Sequence, residues 1–380
     1  MQVCSHCNFA LAAVSVVGMT KNVLISGAGV AGSTLAYWLA RNGFKSTVVE
    51  RSQGLRSSGN PVDVRGPALP VVEAMGVVPQ LRDAATTSKR IRLLRGDGRQ
   101  VATVNMPAAK GNEVEIPRND LATILYEAAR DDAEFLFDDT ITALRQDEHG
   151  VDVTFDRAAP RRFDLVIGAD GLHSTVRRLA FGPERDFVRP TGIYVATTPF
   201  SEPVDQPEDV LIHNTPGRLV ALHPSRGNGG VAFIFRADVA GFDYRDMAQH
   251  KRIVTSAYAG VGWRVPELLD RLRDAEDVFF DAVSLVDLPS WSKGRIALVG
   301  DAASCVSLLG DGSSLAIAGA HTLATALATD GGLARYEAEH RARVTPKQRT
   351  VKLAAALLVP KTRLGLATRN LAARVWPFDL

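Results

Sequence analysis

Gly27, Gly29 and Gly32 stand in G-x-G-x-x-G spacing, and an acid, Glu50, follows about twenty residues on. These residue types can hold a dinucleotide. Gly27 allows a tight turn, Gly29 lets a pyrophosphate approach the backbone with no Cβ between them, and Gly32 lets a helix pack close to a sheet. Val30 and Ala31 open that helix, whose free N–H groups and charge of roughly +0.5 face the phosphates. Glu50 can accept ribose hydroxyls, with Arg51 beside it, and would repel a 2′-phosphate. The pattern therefore holds FAD or NAD and does not by itself say which.

Other residues could share that chemistry. Asp170 lies in Gly168-Ala169-Asp170-Gly171, followed by Ser174 and Arg177. Asp301 lies in Gly300-Asp301-Ala302-Ala303. Gly310, Gly312, Ser313 and Ser314 open a helix expected over 313–329. Arg118 falls near another helix start, where Asn119 or Asp120 could cap. Arg65 closes the polar passage SQGLRSSGNPVDVRG, a loop of the kind that runs over ligands. His173, His213 and His223 read equally well as satisfied strand or surface residues; His223, ending a strand, is the best base candidate of the three. Cys305 reads as packing, and Phe233 and Phe235 as core.

The elements that position these residues follow from periodicity. Val23-Leu24-Ile25 is a short apolar run, expected to form a buried parallel strand. Leu35, Ala36, Leu39 and Ala40 share one helix face, closed by Asn42-Gly43, and a strand over 46–49 delivers Glu50. A helix is expected over 67–76, and a β-hairpin over 89–104 around Gly96-Asp97-Gly98. VDVTF (151–155) alternates strictly. From about 182 to 285 short alternating strands dominate; from 294 the first texture returns in GRIALVGD. The expected architecture is α/β: a Rossmann-like dinucleotide domain (19–181, resumed at 286–345), interrupted by a mainly antiparallel sheet (182–285) that binds substrate. An N-terminal extension (1–18) and C-terminal helices (346–380) flank it. Residues 335–376 carry ten Lys/Arg against two Glu. Pro346 and Pro360 are expected to divide that segment into helices, which present either a solvated basic face or a cover over the substrate cavity.

Composition excludes several classes. A net charge of +2 over 380 residues calls for no nucleic acid, and no apolar run has the length of a membrane span. Three Cys make no disulfide framework, which points to a reducing cytoplasm. Cys4 and Cys7 form a C-x-x-C without a second pair, so no metal site is expected, and Met19 could be the natural start.

The ordered set GAGVAG with Glu50, Arg118 with Leu121, GADG with Ser174 and Arg177, and GDAA resembles the single-component FAD-dependent aromatic hydroxylases related to p-hydroxybenzoate hydroxylase. The resemblance covers roughly residues 20–345. PVDVRG (61–66) is similar to the tetracycline-inactivating branch, as is an end in helices rather than a thioredoxin-like domain. The resemblance implies FAD in the dinucleotide site and NADPH or NADH as co-substrate without a second Rossmann domain. It implies that Arg118 and Asp301 contact FAD, that Asp170 serves flavin and nicotinamide, and that the helix start after Gly312 faces flavin N1 and O2. Reduced flavin would take up O2 as an electrophilic C4a-hydroperoxide that hydroxylates an aromatic, phenolic or polyketide-like compound, with a tetracycline among the candidates. From their positions, Arg65 after the Gly-rich loop and Arg218 at the start of an inserted strand are candidates to face that substrate, or else solvent-facing strand-end charges. The chain departs from the family at Ser304 and Leu308, where His and Pro are usual. A monomer or homodimer is expected.

Other readings stay open at this level. A reductase or oxidase of the same fold would consume NADPH without inserting oxygen. A halogenase would carry Trp-x-Trp, whereas Trp38, Trp263, Trp291 and Trp376 are scattered. A non-catalytic dinucleotide sensor would need no acids at the strand ends.

Overall fold

The computed structural model describes residues 21–55, 61–106, 111–200, 208–224, 229–239, 241–306, 310–329 and 332–375. The C-x-x-C at Cys4 and Cys7 lies outside them, as do Met19 and Leu308.

The apolar run at the start of the described chain forms β1 (Asn22–Ser26). It leads through the glycine turn into α1 (Val30–Arg41) and on to β2 (Lys45–Glu50). β1 is the hub of a six-stranded sheet. It pairs in parallel with β2 on one side and with Leu165–Gly168 on the other. Ile296–Leu298 adds to Leu165–Gly168, again in parallel. Glu134–Phe137 closes the β2 side, and Ser292–Lys293 is an antiparallel edge. Val23, Leu24 and Ile25 have no exposed surface, as a strand covered on both faces requires. One core joins this sheet to α1 and to the helix Asp311–Leu327.

The expected second sheet is present and larger than its own stretch of sequence. It has seven strands, in the order Phe279–Val286, Val188–Phe200, Gly229–Arg236, Arg218–His223, Asp209–Thr215, Arg90–Leu94, Gln100–Asn105. The last two are the predicted hairpin, recruited through a parallel pairing of Arg90–Leu94 with Asp209–Thr215. Its two faces differ. Phe233 and Phe235 lie in a core with helices Met247–Ala257 and Val265–Asp274. Leu219, Ala221, Ala232 and Val283 point the other way and meet Ala355 and Val359 of the C-terminal region.

Pro346 does not divide that region. A single helix, Gly332–Leu358, runs through it. Pro346 removes one backbone hydrogen bond on an exposed turn, and packing at both ends outweighs the loss, about 3 kcal/mol. Tyr336, His340 and Val344 are buried at one end, and Val351, Ala354 and Ala355 at the other. Pro360 does end the helix, and Arg363–Val375 follows. The expected helix at 67–76 is a 3-10 turn, Gly66–Ala68, continuing as Leu69–Ala74. Pro117, not Asn119 or Asp120, occupies the N-cap of Arg118–Ala129, without a side-chain cap.

Candidate active site

The parallel strands all end at one edge of their sheet, and the chemistry-bearing motifs are the turns that leave it. β1 ends in Gly27, β2 in Glu50, Leu165–Gly168 leads to Asp170, and Ile296–Leu298 to Asp301. Ligands of open α/β sheets bind at this carboxyl edge, where strand order reverses.

The turns touch one another. Gly27 has φ +103°, and a Cβ there would lie 2.6 Å from the Ala169 carbonyl oxygen. A Cβ on Gly32 would lie 1.8 Å from the Gly27 carbonyl oxygen, so its closest constraint is the turn itself rather than the sheet. Gly300, at φ +64°, brings the Asp301 turn to Ala31, whose Cβ would be 3.0 Å from one added at Gly300. Gly29 differs: no atom of the described residues lies within 4 Å of an added Cβ. That is open space at the N-terminus of α1, with Val30 and Ala31 buried behind it. The Glu50 carboxylate accepts from the backbone N–H of Ala28 (3.0 Å) and of Ser52 (2.9 Å). It retains further lone pairs for a diol. Open space at Gly29, a helix N-terminus and a fixed acid fit FAD. Arg51 is exposed beside them.

Asp301 and Arg118 are distant in sequence and close in space, with Nη2 to Oδ2 3.9 Å. Burial pushes the Asp301 carboxyl up; Arg118 and the buried Cys305 thiol pull it down, and Asp281 pushes it up again. The Gly312 Cβ position lies 4.0 Å from Asp301 Oδ1, so the start of Asp311–Leu327 opens onto the same place. Gly310 caps that helix at φ +82°. Ser313 and Ser314 are buried. The Ser314 hydroxyl donates to the Asp63 carbonyl (2.8 Å) and accepts from the Arg65 N–H (3.0 Å). Arg65 pairs with Asp311 at 3.0 Å and Asp63 at 3.4 Å, and Lys347 pairs with Asp311 at 3.0 Å. Asp63, Asp311 and Lys347 escaped the sequence reading; the basic stretch containing Lys347 was its only signal.

Asp170 holds the start of the helix Thr175–Ala180, whose N-cap is Ser174. It accepts from the Thr175 and Val176 backbone N–H groups and from the Ser26 and Ser174 hydroxyls. Arg177, fully buried, donates from Nη1 to the Ala302 carbonyl (3.0 Å) and from Nη2 to the Leu172 carbonyl and to Glu184. It thereby ties the Asp170 turn to the Asp301 turn.

His173, one of three histidines that read alike in the sequence, is the one in this network. Its Nδ1 lies 3.0 Å from Glu184 and its Nε2 3.1 Å from Asp281, on the edge strand of the second sheet. Its ring stacks on Tyr244 at 4.4 Å. Asp281, a lone acid in the apolar strand Phe279–Val286, was the missed signal here. Burial lowers the imidazole pKa, but the bonds to Asp281 and Glu184 prevail and take it up to about 9. A raised folded pKa contributes stability that is complete below the unfolded value, near 6.5, and is lost as pH rises through about 9. Thermal melts from pH 6.5 to 10 should therefore fall with pH, by roughly 2–3 kcal/mol in all. His173→Gln should melt lower at neutral pH and lack that component; parallel wild-type and variant curves would refute it.

His223 shares a sheet face with Leu219 and Ala221, its Nδ1 is buried with no partner among the described residues, and burial holds its pKa down to about 4. His213 is buried and stacked on Trp263 at 5.0 Å. Arg218 does not face a substrate cavity on the His223 side of the sheet. It pairs across the sheet with Phe235, and its Nε donates to the Ala257 carbonyl on the helix-covered face. Strand parity, which the sequence reading did not apply to it, sends it there.

Two sheets joined at such an edge define a class, the two-domain flavoproteins. The family described as "FAD binding domain" matches residues 20–347, and the chain belongs to it. It is 40% identical over 332 residues to an uncharacterised protein of Mycobacterium tuberculosis (strain ATCC 25618 / H37Rv), covering 84% of this chain and 89% of that one. It is 33% identical to a flavin-dependent monooxygenase of Legionella longbeachae serogroup 1 (strain NSW150), covering 87% and 88%. Among solved structures, tetracycline destructase Tet(55) superposes with a TM-score of 0.81 at 31% identity, covering 93% and 95%. The protein is an FAD-dependent monooxygenase with NAD(P)H as co-substrate.

Proposed function

We propose that the protein hydroxylates a bulky phenol- or enol-bearing aromatic or polyketide-like compound, with a tetracycline as the sharpest candidate. The observation that carries this is the convergence of the Gly29 opening, Glu50, Asp301 with Arg118, and the Asp311–Leu327 helix start at one sheet edge, linked to the second sheet through Asp281. Similarity to Tet(55) and to flavin-dependent monooxygenases supports the substrate class.

Bound FAD supplies the redox step, taking electrons from NAD(P)H so that one atom of O2 enters the substrate and the other leaves as water. The chain's part is placement. The N–H groups at the start of α1 hold the pyrophosphate in the space that Gly29 leaves open. Glu50 accepts ribose hydroxyls. Asp301 would accept hydroxyls of the linker between ribose and ring, with the nearby Arg118 guanidinium opposing the burial that raises its carboxyl pKa. N–H groups from Gly312 onward would offer positive dipoles to the bound flavin. The second sheet would lie over the ring and exclude water from the reacting atoms.

The test is to incubate enzyme, NADPH, O2 and a tetracycline, following NADPH absorbance, oxygen uptake and product mass. Substrate-stimulated NADPH oxidation with gain of one oxygen atom is expected. Stimulation by small aliphatic compounds and by no phenol or polyketide would overturn the reading. NADPH use without an oxygenated product would favour a reductase or oxidase.

A further inference from the structure

The C-terminal helices carry a surface that the reaction does not use. Only seven large hydrophobic residues are exposed among the described residues, and four lie here: Leu353 (63% exposed), Leu357 (45%), Leu364 (75%) and Leu371 (61%). Leu353 and Leu357 are four apart on Gly332–Leu358, and Leu364 and Leu371 seven apart on Arg363–Val375, so each pair shares a helix face. The inner faces of both helices are accounted for. Ala355, Val359 and Ala373 pack on the same side of the seven-stranded sheet, Ile212 touching the groups of Val359 and Ala373, and Ile234 those of Val359 and Ala355. The leucines on the opposite faces therefore point outward together.

The charge around them has one sign. Residues 340–376 hold nine Lys/Arg and no Asp or Glu. Arg349, Lys352, Lys361 and Arg363 are exposed along the leucine faces. A second copy of this chain is a poor occupant, because a two-fold interface would set this basic surface against itself. The complementary partner is a layer with anionic groups above an apolar interior. No helix among the described residues is long and apolar enough to cross a bilayer, so contact would be along the surface.

We propose that this face docks the enzyme on an anionic phospholipid bilayer, the leucines entering the acyl boundary and the Lys/Arg meeting lipid phosphates. The site at the sheet edge needs no membrane for its chemistry, so docking and turnover are separable.

The full-length, FAD-loaded protein should co-float with vesicles of phosphatidylglycerol and phosphatidylcholine and not with pure phosphatidylcholine. Binding should weaken as salt is raised. Leu364→Ser with Leu371→Ser should lower the vesicle partition coefficient roughly tenfold or more. Lys352→Glu with Arg363→Glu should lower it by roughly fivefold or more per position. Flavin content and NADPH oxidation in solution should not change in either variant. Failure to bind phosphatidylglycerol vesicles, or equal binding by the leucine variant, would overturn the proposal. So would a concentration-dependent dimer in free solution that the leucine variant abolishes, since the face would then belong to a second copy.

Discussion

Gly29→Val should give a folded protein without colour. Gly29 sits at φ −76° in extended backbone, which valine adopts readily, and an added Cβ meets no atom of the described residues within 4 Å. The fold therefore has no reason to resist the change. In the proposed site the opening takes the pyrophosphate, and a branched side chain there would lift the phosphates off the helix N–H groups. Nanomolar FAD binding corresponds to about 12 kcal/mol. A loss of at least ~4 kcal/mol, a thousandfold or more, leaves the purified protein without flavin. Visible absorbance and circular dichroism read the two parts separately. Glu50→Ala, which removes one charge-assisted acceptor, should weaken binding by only about 1.5–3 kcal/mol. A yellow Gly29→Val protein would sink the dinucleotide assignment.

Arg177→Met should be the most costly substitution outside the glycine turn. The side chain has no exposed surface, and methionine roughly matches its length. What it cannot replace is the set of donors. Two backbone carbonyls, of Leu172 and Ala302, and one Glu184 oxygen lose their partner. Removing one member of a buried ion pair costs about 3–5 kcal/mol. Glu184 is partly exposed and keeps His173, so the low end, about 3 kcal/mol, applies. Both turns that Arg177 joins flank the proposed FAD site, so flavin release and unfolding should move down in temperature together. Flavin fluorescence and circular dichroism, recorded on one sample during heating, check this. An unchanged melting temperature would show that the network is incidental.

What could be read from the sequence follows a physical division. The glycine turn, Glu50, Asp170 and Asp301 were legible because each depends on local geometry: a short apolar run, a break and a helix start. The seven-stranded sheet was legible as alternation, but the parallel pairing that brings Arg90–Leu94 beside Asp209–Thr215 has no local signal. Arg218 and His223 bracket one strand and looked equally placed; even spacing would share a face, and their odd separation sends them to opposite ones. His173, Glu184 and Asp281 come from three elements, so only the tertiary fold shows that they form one ion cluster. Pro346 misled because a helix anchored at both ends tolerates a missing bond that would end a free one.

The strand order also sets a timetable for biosynthesis. Leu165–Gly168 needs Ile296–Leu298 as its outer neighbour, and that partner is made roughly 130 residues later. At about 5–20 residues per second, the growing chain spends on the order of 6–26 seconds with that edge open. An unpaired apolar strand edge is a template for aggregation. Five of the second sheet's seven strands are synthesised during that interval, joining the earlier strands Arg90–Leu94 and Gln100–Asn105, so that sheet can complete itself first. The nucleotide edge closes only when the Asp301 turn arrives, so FAD capture belongs to the end of synthesis, and cells producing this protein quickly should rely on chaperones during that window.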